Sequence, residues 1–171
     1  MALIYLSLGS NIERQRRIGA ALDALADYFG ELTISSVYES ESVGFEGDSF
    51  YNLVLGINTA STVGVVSKIL KDIEDQNGRD RSAPKFGARS LDIDILTFES
   101  MAAEIDGIKL PRDEILKNAF VLLPLAEIAP HSIHPVTGKT YAQHWAAYDK
   151  TKQKLWPIGF TWRSKNLTVA K

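Results

Sequence analysis

Asp92 and Asp94 stand one isoleucine apart in the run Leu91-Asp92-Ile93-Asp94-Ile95-Leu96-Thr97-Phe98, directly after a segment rich in fixed positive charge: Arg79, Arg81, Lys85 and Arg89. The β-branched content and period of two over 91–98 predict a strand. Asp92, Asp94, Leu96 and Phe98 then share one face, and Leu91, Ile93 and Ile95 the other. The two carboxylates point the same way with Cα atoms ~6.5–7 Å apart, close enough to share hard cations and too far apart to bond to each other. In a helix the same spacing would point them apart. Divalent ions held by carboxylates and faced by arginines are what phosphoryl or pyrophosphoryl transfer requires, because charge spreads over the transferring oxygens and preorganised cations must meet it. Gly78, Pro84 and Gly87 make the basic segment a loop leading into the strand.

The rest of the chain supplies elements that can hold such a pair in place. Residues 2–8 are an apolar run that closes on Gly9-Ser10-Asn11, as a buried strand ending in a turn does. Ile18, Leu22, Leu25 and Phe29 make one helical stripe that stops at Gly30. A second strand is predicted over 33–38, a loop over 41–49 and a third strand over 52–59. A second helix follows, capped by Ser61 or Thr62, with Val66, Ile69, Leu70 and Ile73 as its stripe. The order β-α-β-β-α-β predicts an α+β fold with a ferredoxin-like core, an antiparallel sheet with both helices on one face. Asp106-Gly107 signals a hairpin, and 120–128 reads as an apolar helical segment interrupted by Pro124. The last third decorates the core with aromatic residues that follow no clear period.

At 171 residues and 45% hydrophobic content the chain can bury one good core and is short for two, so one domain over 1–171 is expected. A formal charge of −2 gives no global attraction to nucleic acid, so anion binding must come from local clusters. With no cysteine there is neither a disulfide nor a thiolate metal site. No secretory leader or spanning helix is read at or after Met1, and a soluble, cytoplasmic protein with no membrane partner is expected. His131 and His134 lie between Pro130 and Pro135, where a turn is expected rather than a helical metal pair.

The string Lys85-x-Gly87-Ala88-Arg89-x-x-Asp92-Ile93-Asp94-Ile95-Leu96 resembles the signature of the 6-hydroxymethyl-7,8-dihydropterin pyrophosphokinases, and the likeness runs from Gly9 to about Gly138. The resemblance implies an enzyme of folate biosynthesis that moves the diphosphate of ATP onto the hydroxymethyl group of a dihydropterin. It implies two Mg²⁺ ions on Asp92 and Asp94, with Arg79 and Arg89 as the catalytic arginines. For the pterin it implies Asn11, Ser40, Val43, Gly44, Asn52 and Phe120; for ATP, Glu74, Arg81 and Phe86. A monomer with ATP and a dihydropterin as its only partners follows from the same likeness. The chain departs from the pattern at Arg112, where the family has histidine, at Asn118, where it has arginine, and at Ser40 and Ser42, where it has threonine and proline. Arg112 is expected to take over the histidine's contact with the ATP phosphates, from a longer stem and with a charge that does not titrate. A paralogue for a modified pterin and a non-catalytic nucleotide- or pterin-binding module are the other readings.

Overall fold

A computed structural model of the protein describes residues 1–41, 49–78 and 91–168. The N-terminal apolar run is β1 (Ala2–Ser10), followed by α1 (Arg14–Phe29), whose stripe buries Ile18, Leu22 and Leu25 and which ends at Gly30 with φ 81°. The predicted second strand is split into β2 (Thr33–Ile34) and β3 (Val37–Ser40). The cause is local. Ser35 Oγ accepts the N–H of Val54, and Ser36 gives both its N–H and its hydroxyl to Glu127 Oε2. Between Ile34, opposite Leu55, and Tyr38, opposite Asn52, one extra residue is therefore accommodated.

After β4 (Phe50–Thr59), Thr62 caps α2 (Val63–Gln76) by accepting from the N–H of Val65, and β5 (Asp92–Phe98) carries the aspartates. The hairpin predicted at Asp106-Gly107 is present as β6 (Ala103–Ile105) and β7 (Ile108–Leu110). Three helices follow: α3 (Glu114–Lys117), α4 (Ala119–Ile128) and α5 (Tyr141–Ala147). Pro124 does not interrupt α4 as the sequence suggested; the helix runs through it and forgoes the one hydrogen bond that a proline cannot donate. The chain closes with β8 (Leu155–Ile158) and the short pair β9 (Thr161–Trp162) and β10 (Lys165–Asn166).

The main sheet is antiparallel throughout, in the order β5-β1-β4-β3-β8, with β2 beside β4. Its central strands, β1 and β4, send successive side chains to opposite faces. Ile4, Leu6 and Leu8 of β1 and Leu53, Leu55 and Ile57 of β4 meet the stripes of α1 and α2 on one face. Val54 and Leu96 meet Ile115, Val121, Leu122, Leu125 and Tyr141 on the other. Each such aliphatic, taken fully out of water, contributes on the order of 1.5–3 kcal/mol. The sheet is thus covered on both faces: α1 and α2 share one side as predicted, and the decoration after residue 111 covers much of the other.

One face assignment is corrected. The pairing slips where Leu6 faces Ile95 and Tyr5 faces Thr97, so Leu96 is a bulged residue. Leu96 stays on the aspartates' side, whereas Phe98, expected there too, lies with Ile93 and Ile95 against α1 and α2.

Candidate active site

The register of the sheet brings the predicted residues into one row. Gly9 of β1 is paired with Asn52 of β4 on one side and Asp92 of β5 on the other, and Tyr38 of β3 extends the row beyond Asn52. Ser7 and Asp94 form the next cross-strand pair on the same face, beyond Leu8 and Ile93. Two strand spacings separate Asn52 from Asp92, roughly 10 Å. Between them lies a residue with no side chain, and it must have none: a Cβ at Gly9 would sit 2.9 Å from Asn52 Oδ1. The result is a bare strip of sheet with an amide at one edge and carboxylates at the other.

Asn52 is held there by its neighbour. Its Nδ2 donates to Ser40 Oγ at 2.8 Å, and both side chains are buried. The bond uses one of the two amide protons, and the side chain carries a second proton and a carbonyl oxygen besides. Asn11 is buried just past the end of β1, where Ser10 Oγ donates to the carbonyl of Ile12. Phe120 sits in the first turn of α4, half-buried against the cluster that includes Val54 and Leu96.

At the carboxylate edge, β5 is fixed along its outer side by two bonds. Glu74 is buried near the end of α2, and its Oε2 accepts the N–H of Ile93, the residue between the aspartates, at 2.9 Å. Further along, the N–H of Arg112 donates to the carbonyl of Leu96 at 2.9 Å. That bond brings the Arg112 guanidinium over the strand, where Nη2 donates to Glu114 Oε1 at 2.9 Å and lies 3.7 Å from Asp94 Oδ2. Burial pushes the Asp94 carboxyl up to about 6; Arg112 pulls it down, and Asp92, Glu114 and Glu74 add to the rise. Burial also works against the charge of Arg112, yet Asp94 and Glu114 outweigh it and hold the guanidinium above its ordinary value. Glu114 was not anticipated. Its acidic neighbourhood with Arg112 is visible in the sequence, but only the return of the chain past Leu96 sets it beside Asp94.

The donor set fits a hard divalent cation. Asp92 and Asp94 offer carboxylate oxygens in an acidic cluster that raises the cost of leaving Asp94 ionised. Among the described residues no group of three or more His, Asp or Glu side chains closes a cage. Two carboxylates with the remaining positions open suit Mg²⁺ completed by water and substrate phosphates. His134 is engaged otherwise, its Nδ1 accepting the N–H groups of Val136 and Thr137 within a turn. Val43, Gly44, Arg79, Arg81, Phe86 and Arg89 lie outside the described residues.

Residues 5–130 match the family model of 7,8-dihydro-6-hydroxymethylpterin-pyrophosphokinase (HPPK). The chain belongs to that family. It is 36% identical over 141 residues to the 2-amino-4-hydroxy-6-hydroxymethyldihydropteridine pyrophosphokinase of Aquifex aeolicus, covering 81% of this chain and 88% of the relative. To the enzyme of the same name from Bacillus subtilis it is 34% identical over 131 residues, 74% of this chain and 77% of the relative. Among solved structures, a Plasmodium falciparum HPPK-DHPS chain crystallised with pteroate superposes with a TM-score of 0.70 at 16% identity over 88% of this chain, which establishes likeness of fold. This chain spans 44% of that fused chain. Family membership makes the protein a pyrophosphokinase of folate synthesis, using ATP as the donor and a hydroxymethyldihydropterin as the acceptor. Gln153 and β8, which lie beyond the matched residues, nevertheless contact the site's supports: Gln153 bonds Asn118 and Ala119, and β8 pairs with β3.

Proposed function

We propose that the bare strip over Gly9 seats the pterin ring, with its hydroxymethyl group directed toward Asp92 and Asp94. The observation that carries this is the row Asn52–Gly9–Asp92, which puts a ring-recognising amide and a phosphate-side carboxylate about two strand spacings apart. Asn52, steadied by Ser40, reads the ring's polar edge; Phe120 covers its face, where an aromatic contact adds to the area buried. Asn11, Val43 and Gly44 complete the pterin side, and Glu74, Arg81, Phe86 and Arg112 the nucleotide side.

Asp92 and Asp94 would hold two Mg²⁺ ions, which supply charge neutralisation across the phosphates. The pterin hydroxyl oxygen attacks the β-phosphorus of ATP in line, the bond from the α-phosphate bridge oxygen to the β-phosphorus breaks, AMP leaves, and the hydroxyl proton passes to solvent. Arg79 and Arg89 meet the charge that spreads over the equatorial oxygens, in the paired geometry a guanidinium allows. In topology the strand order β5-β1-β4-β3 supports reading 1–98 as a ferredoxin-like core within one domain covering 1–171. Among the described residues no helix is long and apolar enough to cross a membrane.

Incubation with Mg²⁺, ATP and 6-hydroxymethyl-7,8-dihydropterin should yield AMP and the pterin diphosphate. Asp92→Ala and Asp94→Ala should each abolish AMP formation and leave the circular dichroism spectrum unchanged. Formation of ADP in place of AMP, or near-normal turnover in either variant, would refute the assignment.

A further inference from the structure

Arg112 already fills, in the protein alone, part of the role a bound cation plays. Its backbone is fixed to Leu96, its Nη2 is bonded to Glu114 at 2.9 Å, and the same nitrogen leans toward Asp94 at 3.7 Å. The fit is incomplete, because Nε is buried and has no hydrogen-bond partner among the described residues. A guanidinium with one firm partner, one loose partner and one unused buried donor is poised for a ligand with more oxygens than Asp94 and Glu114 supply. A triphosphate is such a ligand.

We infer that Arg112 is a built-in counter-ion of the metal site: it rests between Asp94 and Glu114 while the nucleotide is absent and transfers to the nucleotide's phosphates on binding. The inference rests on the reading of Asp92 and Asp94 as metal holders. Its consequence is an order of events. A bare divalent ion must compete with a fixed positive charge close to Asp94, whereas an ion that arrives with a triphosphate brings the oxygens that draw the guanidinium away. The site therefore discriminates against free metal and for metal carried by nucleotide. Glu114 is a positioning residue here, since it gives the displaced guanidinium a near anchor and keeps it from pairing fully with Asp94.

The test measures Mn²⁺ binding to the full chain by electron paramagnetic resonance, alone and with a non-hydrolysable ATP analogue. A unit charge about 6 Å from a divalent ion, in a dielectric near that of water, opposes binding by roughly three- to tenfold. Arg112→Gln should therefore tighten bare Mn²⁺ by that factor and at the same time weaken the Mn²⁺–nucleotide complex by a similar one. Arg112→Lys, which keeps the charge and folds under less perturbation, should leave bare Mn²⁺ near wild type and weaken the nucleotide complex less than Arg112→Gln does. Glu114→Gln should weaken bare Mn²⁺, and the Arg112→Gln/Glu114→Gln double variant should return close to wild type. Bare Mn²⁺ affinity that is unchanged or weaker in Arg112→Gln overturns the counter-ion role while leaving the metal reading standing. Undiminished Mn²⁺ binding in Asp94→Asn overturns the metal reading and this inference with it.

Discussion

Asp94 carries opposing demands: burial and the neighbouring carboxylates favour its protonated form, while Arg112 favours its ionised one, and the first group prevails, lifting it from 3.8 to about 6. The sign of the linkage follows. An acid whose folded value lies above its unfolded value binds protons more tightly in the native state, so it favours folding at low pH and its contribution declines as pH rises from about 4 to about 6. Above that window the ionised carboxylate is a liability in the metal-free protein. Asp94→Asn should therefore stabilise the metal-free chain at pH 7, with the gain fading toward pH 4. A shift of this size on a fully buried group would correspond to about 3 kcal/mol. The Asp94 side chain is 36% exposed, so screening reduces the expected gain to about 1 kcal/mol or less. Urea denaturation at pH 4 and pH 7 in the presence of a chelator measures it, and a variant less stable than wild type at pH 7 would mean that the carboxylate anchors the fold. That the two aspartates share a face was legible in their spacing. The environment of Asp94 was not, because Arg112 and Glu114 come to it only when the chain folds back past β5, where the Arg112 N–H bonds the Leu96 carbonyl.

β5 shows what a sequence period can and cannot reveal about an element. Alternation correctly set Ile93 and Ile95 on the face opposite the aspartates, where α1 and α2 pack, but it carried Phe98 to the wrong side, since the slip at Leu96 belongs to the pairing of β5 with β1 and not to either strand alone. The break at Ser35 and Ser36 was hidden for a similar reason: the carboxylate that satisfies Ser36 comes from Glu127 on α4, far along the chain. Glu74 makes the same kind of link between α2 and β5. Replacing it by alanine would leave the N–H of Ile93 buried without that acceptor, at a cost of about 1–3 kcal/mol. The stretch that presents both aspartates would also lose its outer restraint. Glu74→Ala is thus expected to lower stability by that amount and to weaken Mn²⁺ binding, whereas Glu74→Gln, which keeps a carbonyl oxygen, should cost less than 1 kcal/mol. Chemical denaturation paired with Mn²⁺ titration tests both effects. A Glu74→Ala protein as stable as wild type would show that the bond to Ile93 carries no weight.

Across the whole molecule, the segment after residue 130 acts as a strap around the core that matches the family model, although its aromatic residues follow no period from which that could be read. β8 adds itself to the sheet beside β3, with Leu155 opposite Ser40 and Pro157 opposite Tyr38. Trp162 Nε1 and Arg163 Nε both donate to Asp23 on α1. Between these ties, Gln153 reaches the start of α4: its Oε1 accepts the N–H of Ala119 at 2.7 Å and its Nε2 donates to Asn118 Oδ1 at 2.9 Å. Asn118 is thereby committed to structure, and Gln153 does for α4 what a capping side chain does for other helices. An N-terminal cap contributes about 0.5–2 kcal/mol. It fixes the first turn, and the first turn is where Phe120 sits. Gln153→Ala should therefore destabilise the protein by roughly 1 kcal/mol and raise KM for the pterin several-fold, while KM for ATP and kcat at saturating pterin stay near wild type. Gln153→Glu keeps the acceptor for Ala119 and loses the donor to Asn118, so it should recover most of the pterin affinity. Steady-state kinetics with each substrate varied in turn separate the possibilities: a loss of stability with both KM values unchanged would reduce the strap to scaffolding, whereas a selective pterin effect would make a residue outside the family's matched region part of how this enzyme holds its substrate.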